Sequence, residues 1–330
     1  MNAQDLDEWI GNIASGDRQA LSKAITLVES RRGTDRELAS RLIRILPSRS
    51  KPALRIGLTG PPGVGKSTLV EALGVFLTDQ GNRLAVLTVD PSSAISGGSI
   101  LGDKTRMAEL SRRENAFIRP SPTGAYLGGT ARQTREAILL CEAAGYDIVL
   151  VETAGTGQNE YLVSTMTDIT VLLGLPGSGD ALQGIKRGIM EWADVIVVHK
   201  ADDPNDPRVR EALRDLGAAA HFLETRPHGH PRRVVAVSAL LGNGLEELWK
   251  VICEVRDVLL EKNLLYALRA EQLVGAYRER LKEDLLESLL GRKGVASYLS
   301  DRERELREGK ISPEEAAETT RAFIFASNSK

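Results

Sequence analysis

Nine residues, Gly60-Pro61-Pro62-Gly63-Val64-Gly65-Lys66-Ser67-Thr68, fit the pattern G-x-x-x-x-G-K-[ST]. Each residue type has a task in phosphate chemistry. Glycines let backbone N–H groups close around a β-phosphate. Lys66 neutralises β- and γ-oxygens, and the Ser67 hydroxyl reaches Mg²⁺. The flanks agree with this reading. An apolar run, Leu54 to Thr59, precedes the loop, and a helical pattern, Leu69 to Leu77, follows it. A strand thus delivers the loop, and a helix N-terminus receives the anion. An ordinary glycine-rich turn gives no reason for the Lys-Ser pair.

Such a loop binds a triphosphate without naming its base, and three further stretches narrow the choice. Ile148 to Glu152 is an apolar run ending in a carboxylate, followed by Thr153-Ala154-Gly155. That order suits an acid acting on Mg²⁺ and a Gly155 N–H reaching the γ-phosphate. The acid is Glu152, where GTPases usually carry Asp. Val195 to Val198 leads into His199-Lys200-Ala201-Asp202, which resembles the guanine-reading N-K-x-D motif. Asp202 would accept from guanine N1–H and the exocyclic amine, a pattern adenine does not offer. The Lys200 stem would lie along the base. His199 replaces the usual Asn, and an imidazole N–H can donate to guanine N7 as the amide would. Ser238-Ala239-Leu240 follows the last strand and matches the loop whose backbone N–H meets guanine O6. Two more carboxylates, Asp90 at a strand end and Asp103 at the head of Asp103-Lys104-Thr105-Arg106, are candidates for Mg²⁺ or its waters. Asp103 reads equally well as a helix N-cap.

The elements that must position these groups alternate from residue 54 to about 260. Strands are expected at Leu54–Thr59, Arg83–Val89, Ala116–Arg119, Ile148–Glu152, Ile169–Leu175, Val195–His199 and Val234–Val237. Several are unbroken Val/Ile/Leu runs, as in parallel strands buried on both faces. The expected class is α/β, a three-layer nucleotide-binding domain with a mostly parallel sheet and its ligand loops at the carboxyl ends of the strands. Residues 1–50 read as a helical N-terminal extension, with Leu21, Ala24, Ile25 and Val28 at helical spacing. Residues 51–260 form the nucleotide domain. Residues 261–330 form a helical tail with a leucine stripe, Leu281, Leu285, Leu286, Leu289 and Leu290, and a capping box at Ser312-Pro313-Glu314-Glu315. On composition alone the tail suits a lid on the same domain or an arm for self-association equally well.

The chain of 330 residues can bury a sizeable core, and its net charge of −2 gives no reason to expect nucleic acid or an anionic membrane as partner. Cys141 and Cys253 lie far apart, as buried free thiols in a reducing compartment would. The acidic start lacks a signal core, and no apolar run approaches membrane-spanning length. A cytoplasmic location is the expectation.

Taken together, G-P-P-G-V-G-K-S-T, V-D-P-S-S, G-G-S-I-L-G-D-K-T-R-M, F-I-R-P-S-P, L-L-C-E-A-A-G-Y-D, V-E-T-A-G-T-G-Q and L-Q-G-I-K-R-G-I resemble the MeaB/ArgK family of GTPases, from about residue 10 to 260. The resemblance implies a SIMIBI-class GTPase that chaperones an adenosylcobalamin-dependent acyl-CoA mutase such as methylmalonyl-CoA mutase. It implies GTP or GDP with Mg²⁺ as ligands, and a homodimer formed through the C-terminal arm. Nucleotide state would gate delivery of adenosylcobalamin and removal of damaged cofactor. By position, Gly60 to Thr68 cradle the phosphates, and Glu152, Asp90 and Asp103 are the acids on the magnesium side. Asp202 and Ser238 to Leu240 contact the base. The segment from Gly177 to Lys186 resembles the family's extra switch, in which Gln183 and Lys186 would reach toward the nucleotide. Departures are His199 for Asn and Ala154-Gly155-Thr156-Gly157 where many members read V-G-V-G.

Thr156 stands where Ras-like proteins carry a water-orienting Gln, which predicts slow hydrolysis alone and faster hydrolysis once a partner orders the switches. Two other readings remain. A metal-insertion GTPase would need a Cys/His cluster. Here His221, His228 and His230 lie near one loop with no Cys beside them, as a solvated loop would. A GTP-binding scaffold would hold its partner without hydrolysis.

Overall fold

Seven segments of β-branched and leucine-rich sequence become strands: β1 (Leu54–Thr59), β2 (Leu84–Asp90), β3 (Ala116–Pro122), β4 (Ile148–Thr153), β5 (Ile169–Gly174), β6 (Val195–His199) and β7 (Arg233–Val237). In this computed structural model, which describes residues 3–30, 32–47, 51–90, 107–122, 127–153, 161–177, 187–223 and 229–326, they form one sheet in the order β3-β2-β4-β1-β5-β6-β7. Every pairing is parallel. The helices are α1 (Ala3–Ala14), α2 (Arg18–Glu29), α3 (Gly33–Arg44), α4 (Lys66–Asp79), α5 (Leu127–Ala143), α6 (Arg187–Trp192), α7 (Pro207–Phe222), α8 (Leu245–Glu261), α9 (Leu264–Leu290), α10 (Val295–Arg307) and α11 (Pro313–Ala326).

Alternate residues of the central strands enter opposite layers, which is why their sequence is apolar throughout. Leu84 and Val86 of β2, with Ile148 and Leu150 of β4, join the cluster that holds Leu69 and Leu73 of α4 and Leu248, Ile252 and Val255 of α8. Ala85, Leu87, Val149 and Val151 face the other way, against α2 and α5. The N-terminal helices therefore complete a layer of the sheet: Leu21, Ala24, Ile25 and Val28 share one cluster with Ile138 and Cys141 of α5. A third cluster seats Ile196 and Val198 against α7. The chain divides into two compact units, residues 1–272 and 273–330. In the second, Tyr298 stacks on Phe323 at 4.2 Å between ring centroids, and Arg302 lies over Tyr298. Ser312 caps α11 by accepting from Glu315 N, as its capping box predicts. Among the described residues no helix is long and apolar enough to cross a membrane. Cys141 is buried and Cys253 half-buried; both thiols are free, and burial pushes both above the ordinary thiol range.

A charged network with no local sequence signature closes the first unit at the amino ends of the strands. Arg269 of α9 grips Asp168 with Nε at 2.8 Å and Nη2 at 2.6 Å, and it also donates to Ala53 O and Glu142. Arg55 of β1 holds Glu142 in a two-pronged pair, while its backbone N–H donates to Asp168. The Asp168 side chain has no exposed surface. Removing one member of a buried pair strands the other charge, at a cost of about 3–5 kcal/mol. Arg269→Met should therefore lower stability by about that amount, read as a fall in the urea midpoint at unchanged slope.

Candidate nucleotide site

The carboxyl end of β1 opens directly into the glycine-rich loop. Because β1 lies between β4 and β5, the loop sits where successive connections leave the sheet in opposite directions, the usual ligand crevice of an open α/β sheet. Register brings the neighbouring ends together, with Leu58 of β1 and Thr88 of β2 both aligned with Glu152 of β4. Gly65 is the N-cap of α4, with φ of 98°. A Cβ there would lie 2.6 Å from His199 Cε1 and 2.7 Å from its Nδ1, so glycine is required on both conformational and steric grounds. The first amides of α4 have no acceptor within the helix, and the helix dipole adds positive potential at the same end.

Lys66 begins α4 and is only 6% exposed. Its Nζ donates to Gly60 O at 2.7 Å and Pro61 O at 3.0 Å, so the ammonium is already drawn across the loop. Pro62 and Gly63 are exposed, Val64 is buried in the core, and Thr68 is exposed on the first turn of α4. Ser67 Oγ donates to Glu152 Oε1 at 2.6 Å, which turns its lone pairs outward. Glu152 itself is 5% exposed, a carboxylate held in the interior at the end of β4. A hydroxyl backed by a buried carboxylate is the hard oxygen set that Mg²⁺ takes. Asp90 ends β2 on the same side of the sheet, one residue beyond the pair Val89 and Thr153. Its side chain lies outside the described residues, as do Asp103, Gly155, Thr156, Gln158, Gln183 and Lys186.

The second half of the site is built by the ends of β6 and β7. Ser238 is fully buried, and its Oγ donates to Asp202 Oδ1 at 2.6 Å. The bond fixes the carboxylate while its other oxygen keeps full acceptor capacity. Leu241 N donates to Ser238 Oγ, and Ala201 N donates to Val237 O, so the two loops brace each other. Ala239 packs against the core and Leu240 is exposed. Lys200 adopts a φ of 60°, and its Nζ reaches across to Gly63 O at 3.0 Å. His199 is 2% exposed, and its Nδ1 stands 2.7 Å from Val64 O. One of the two ring nitrogens thus meets the phosphate loop. Burial holds the imidazole below its ordinary range; the bond to Val64 and the nearby Asp202 oppose this, and Lys200 adds to it. His221 is exposed at the end of α7, His230 is half-buried, and His228 lies outside the described residues.

Sequence reasoning missed two supports of this site. Ser238 acts through its hydroxyl on Asp202 as well as by its place in the loop, and the S-A-x motif could have suggested as much. Glu71 of α4 accepts from Glu109 N and Leu110 N. It ties the helix after the phosphate loop to the turn at Leu110–Arg112, and no local pattern marks it.

Comparison with known proteins identifies the family. The family described as methylmalonyl Co-A mutase-associated GTPase MeaB matches residues 21–293. A Mycobacterium tuberculosis protein named "Probable GTPase" is 46% identical over 96% of both chains. The GTPase ArgK of Escherichia coli is 40% identical over 98% of both. The methylmalonic aciduria type A homolog of mouse mitochondria is 44% identical over 95% of this chain and 78% of its own. A crystal structure described as an LAO/AO transport system kinase superposes with a TM-score of 0.75 at 35% identity, covering 98% of this chain and 99% of the other. The chain belongs to the MeaB family and is a GTPase of the P-loop class.

Proposed function

We propose that this chain is a guanine-nucleotide timer for an adenosylcobalamin-dependent acyl-CoA mutase of the methylmalonyl-CoA mutase type, gating cofactor delivery and protecting or reactivating the mutase. The observation that carries the nucleotide part is the pairing of two prepared groups: the Lys66 ammonium inside the phosphate loop and the Asp202 carboxylate fixed by Ser238. The family description and the names of the relatives support the mutase as client.

Binding would proceed in two parts. Residues Gly60 to Thr68 wrap the phosphates with backbone N–H groups and Lys66, and Asp202 accepts from guanine while Ala239 and Leu240 flank the base. Ser67, Glu152, Asp90 and Asp103 are the residues that would hold Mg²⁺ and its waters. When bound, the cation neutralises charge on the β- and γ-phosphates. Glu152 orients the Ser67 hydroxyl by accepting its hydrogen bond. Hydrolysis also needs an oriented water and positive charge on the transferring group. Gln183 and Lys186 are the residues we assign to that task in the complex with the client.

Self-association through the C-terminal tail belongs to the same reading. On α9, Leu273, Tyr277, Leu281 and Leu285 recur every four residues and are all more than 40% exposed. A stripe of that size is costly in water, which supports the reading of an interface.

GTP turnover measured with and without the cognate mutase tests the proposal. The expected result is slow turnover alone and a rise of at least about tenfold on adding the mutase, since an ordered transition-state contact contributes 10²–10³ in rate. A fast isolated enzyme, indifferent to any acyl-CoA mutase, would refute the timer role.

A further inference from the structure

Among the described residues, His199 Nε2 is buried and has no hydrogen-bond partner. Its ring neighbour Nδ1 faces the Val64 carbonyl. A carbonyl only accepts, so Nδ1 carries the proton, and in the neutral ring Nε2 is an acceptor. Guanine N7 is an acceptor as well. Two acceptors cannot share a hydrogen bond.

An asparagine in this place has two N–H donors and can serve a loop carbonyl and a base nitrogen together. A neutral histidine has one, and here it goes to the loop. We propose that His199 is a positioning residue that latches the phosphate loop through Nδ1–H and leaves guanine N7 unread, so that reading the base falls to Asp202 and the loop from Ser238 to Leu240. This rests on the guanine-nucleotide reading given above. The packing supports a latch. Gly65 lies so close to the ring that even a methyl group would collide with Cε1 and Nδ1. Lys200, the next residue, ties the same loop at Gly63 O. The end of β6 therefore holds two successive parts of the loop, and the ring is shielded from the open side of the site, at 2% exposure. Burial favours the neutral ring on which the argument depends.

The test compares GDP with 7-deaza-GDP, in which N7 is replaced by C–H. Calorimetric titration of the full-length protein should give dissociation constants within about threefold of each other, because no donor is aimed at N7. Nitrogen-15 spectra of the histidine rings, assigned with His199→Asn, should show the neutral form protonated on Nδ1 at pH 7, with and without GDP. A third arm replaces the ring. His199→Ala should weaken GDP and 7-deaza-GDP equally, by about five- to tenfold, as a loop that has lost one hydrogen bond would. A larger loss with 7-deaza-GDP in the parent protein, or a proton on Nε2, overturns the latch while the nucleotide site stands. Failure of GDP itself to bind removes the nucleotide reading and the latch with it.

Discussion

Lys66→Ala is expected to raise the dissociation constants for GDP and GTP by about 10²–10⁴ and to reduce hydrolysis to background. Each hydrogen bond from an ammonium to phosphate contributes about 1.5–3 kcal/mol, and Lys66 is placed to make two of them. Its near-complete burial excludes the water that would otherwise weaken such bonds. The loop would keep its glycines and the helix N-terminus, so weak phosphate affinity should survive. In the structure the same ammonium donates to the Gly60 and Pro61 carbonyls. The variant should therefore also have a looser loop, visible as faster amide exchange at residues 60–65, without loss of the sheet. Calorimetry with GDP and circular dichroism of the same sample separate the two effects. Binding within tenfold of the parent would mean that the phosphates lie elsewhere.

Asp202→Asn should exchange one base preference for another. Guanine presents two donors to this carboxylate, and each bond to a charged acceptor contributes about 1.5–3 kcal/mol. An amide returns one acceptor and adds a donor that faces guanine's own. GTP affinity is expected to fall by about 10²–10³, and xanthosine triphosphate, with an oxygen where guanine has its amine, should become the better ligand. The fold should tolerate the change, because the amide oxygen can still accept from Ser238 Oγ. Competition between GTP and xanthosine triphosphate for the variant gives the answer in one experiment. If the variant still prefers GTP, Asp202 does not read the base.

Much of this architecture was legible because the chain repeats one local argument. Apolar β-branched runs between turn signals gave all seven strands, and their unbroken character gave a sheet covered on both faces. The expected end of β3 was Arg119, before a proline, yet the strand continues through Pro120 to Pro122. Its position at the edge of the sheet explains this, since an edge strand can spare a backbone donor. The tail read as helical with a leucine stripe, and α9 runs unbroken through Gly275, an interior glycine that costs about 1 kcal/mol but does not stop a helix. The phosphate loop and the candidate base-contact Asp202 could be picked out because their chemistry lies in short spans. The long-range polar contacts could not. His199 meets Val64 across 135 residues, and Arg269 meets Asp168 across 101. Polar contacts at such separations follow from topology, and no periodicity or spacing announces them.

The tail and the nucleotide domain carry different parts of the proposal. A truncated chain that ends before the stripe on α9 would test self-association without touching the loop. A timer role requires a guanine-nucleotide site. The most direct measurement is calorimetric titration of the full-length protein with GDP and with ADP, each in the presence of Mg²⁺. The account predicts saturable heat with GDP and at least about a hundredfold weaker binding of ADP, which lacks both donors that Asp202 would accept. Equal affinity for the two, or no heat with GDP, would contradict it.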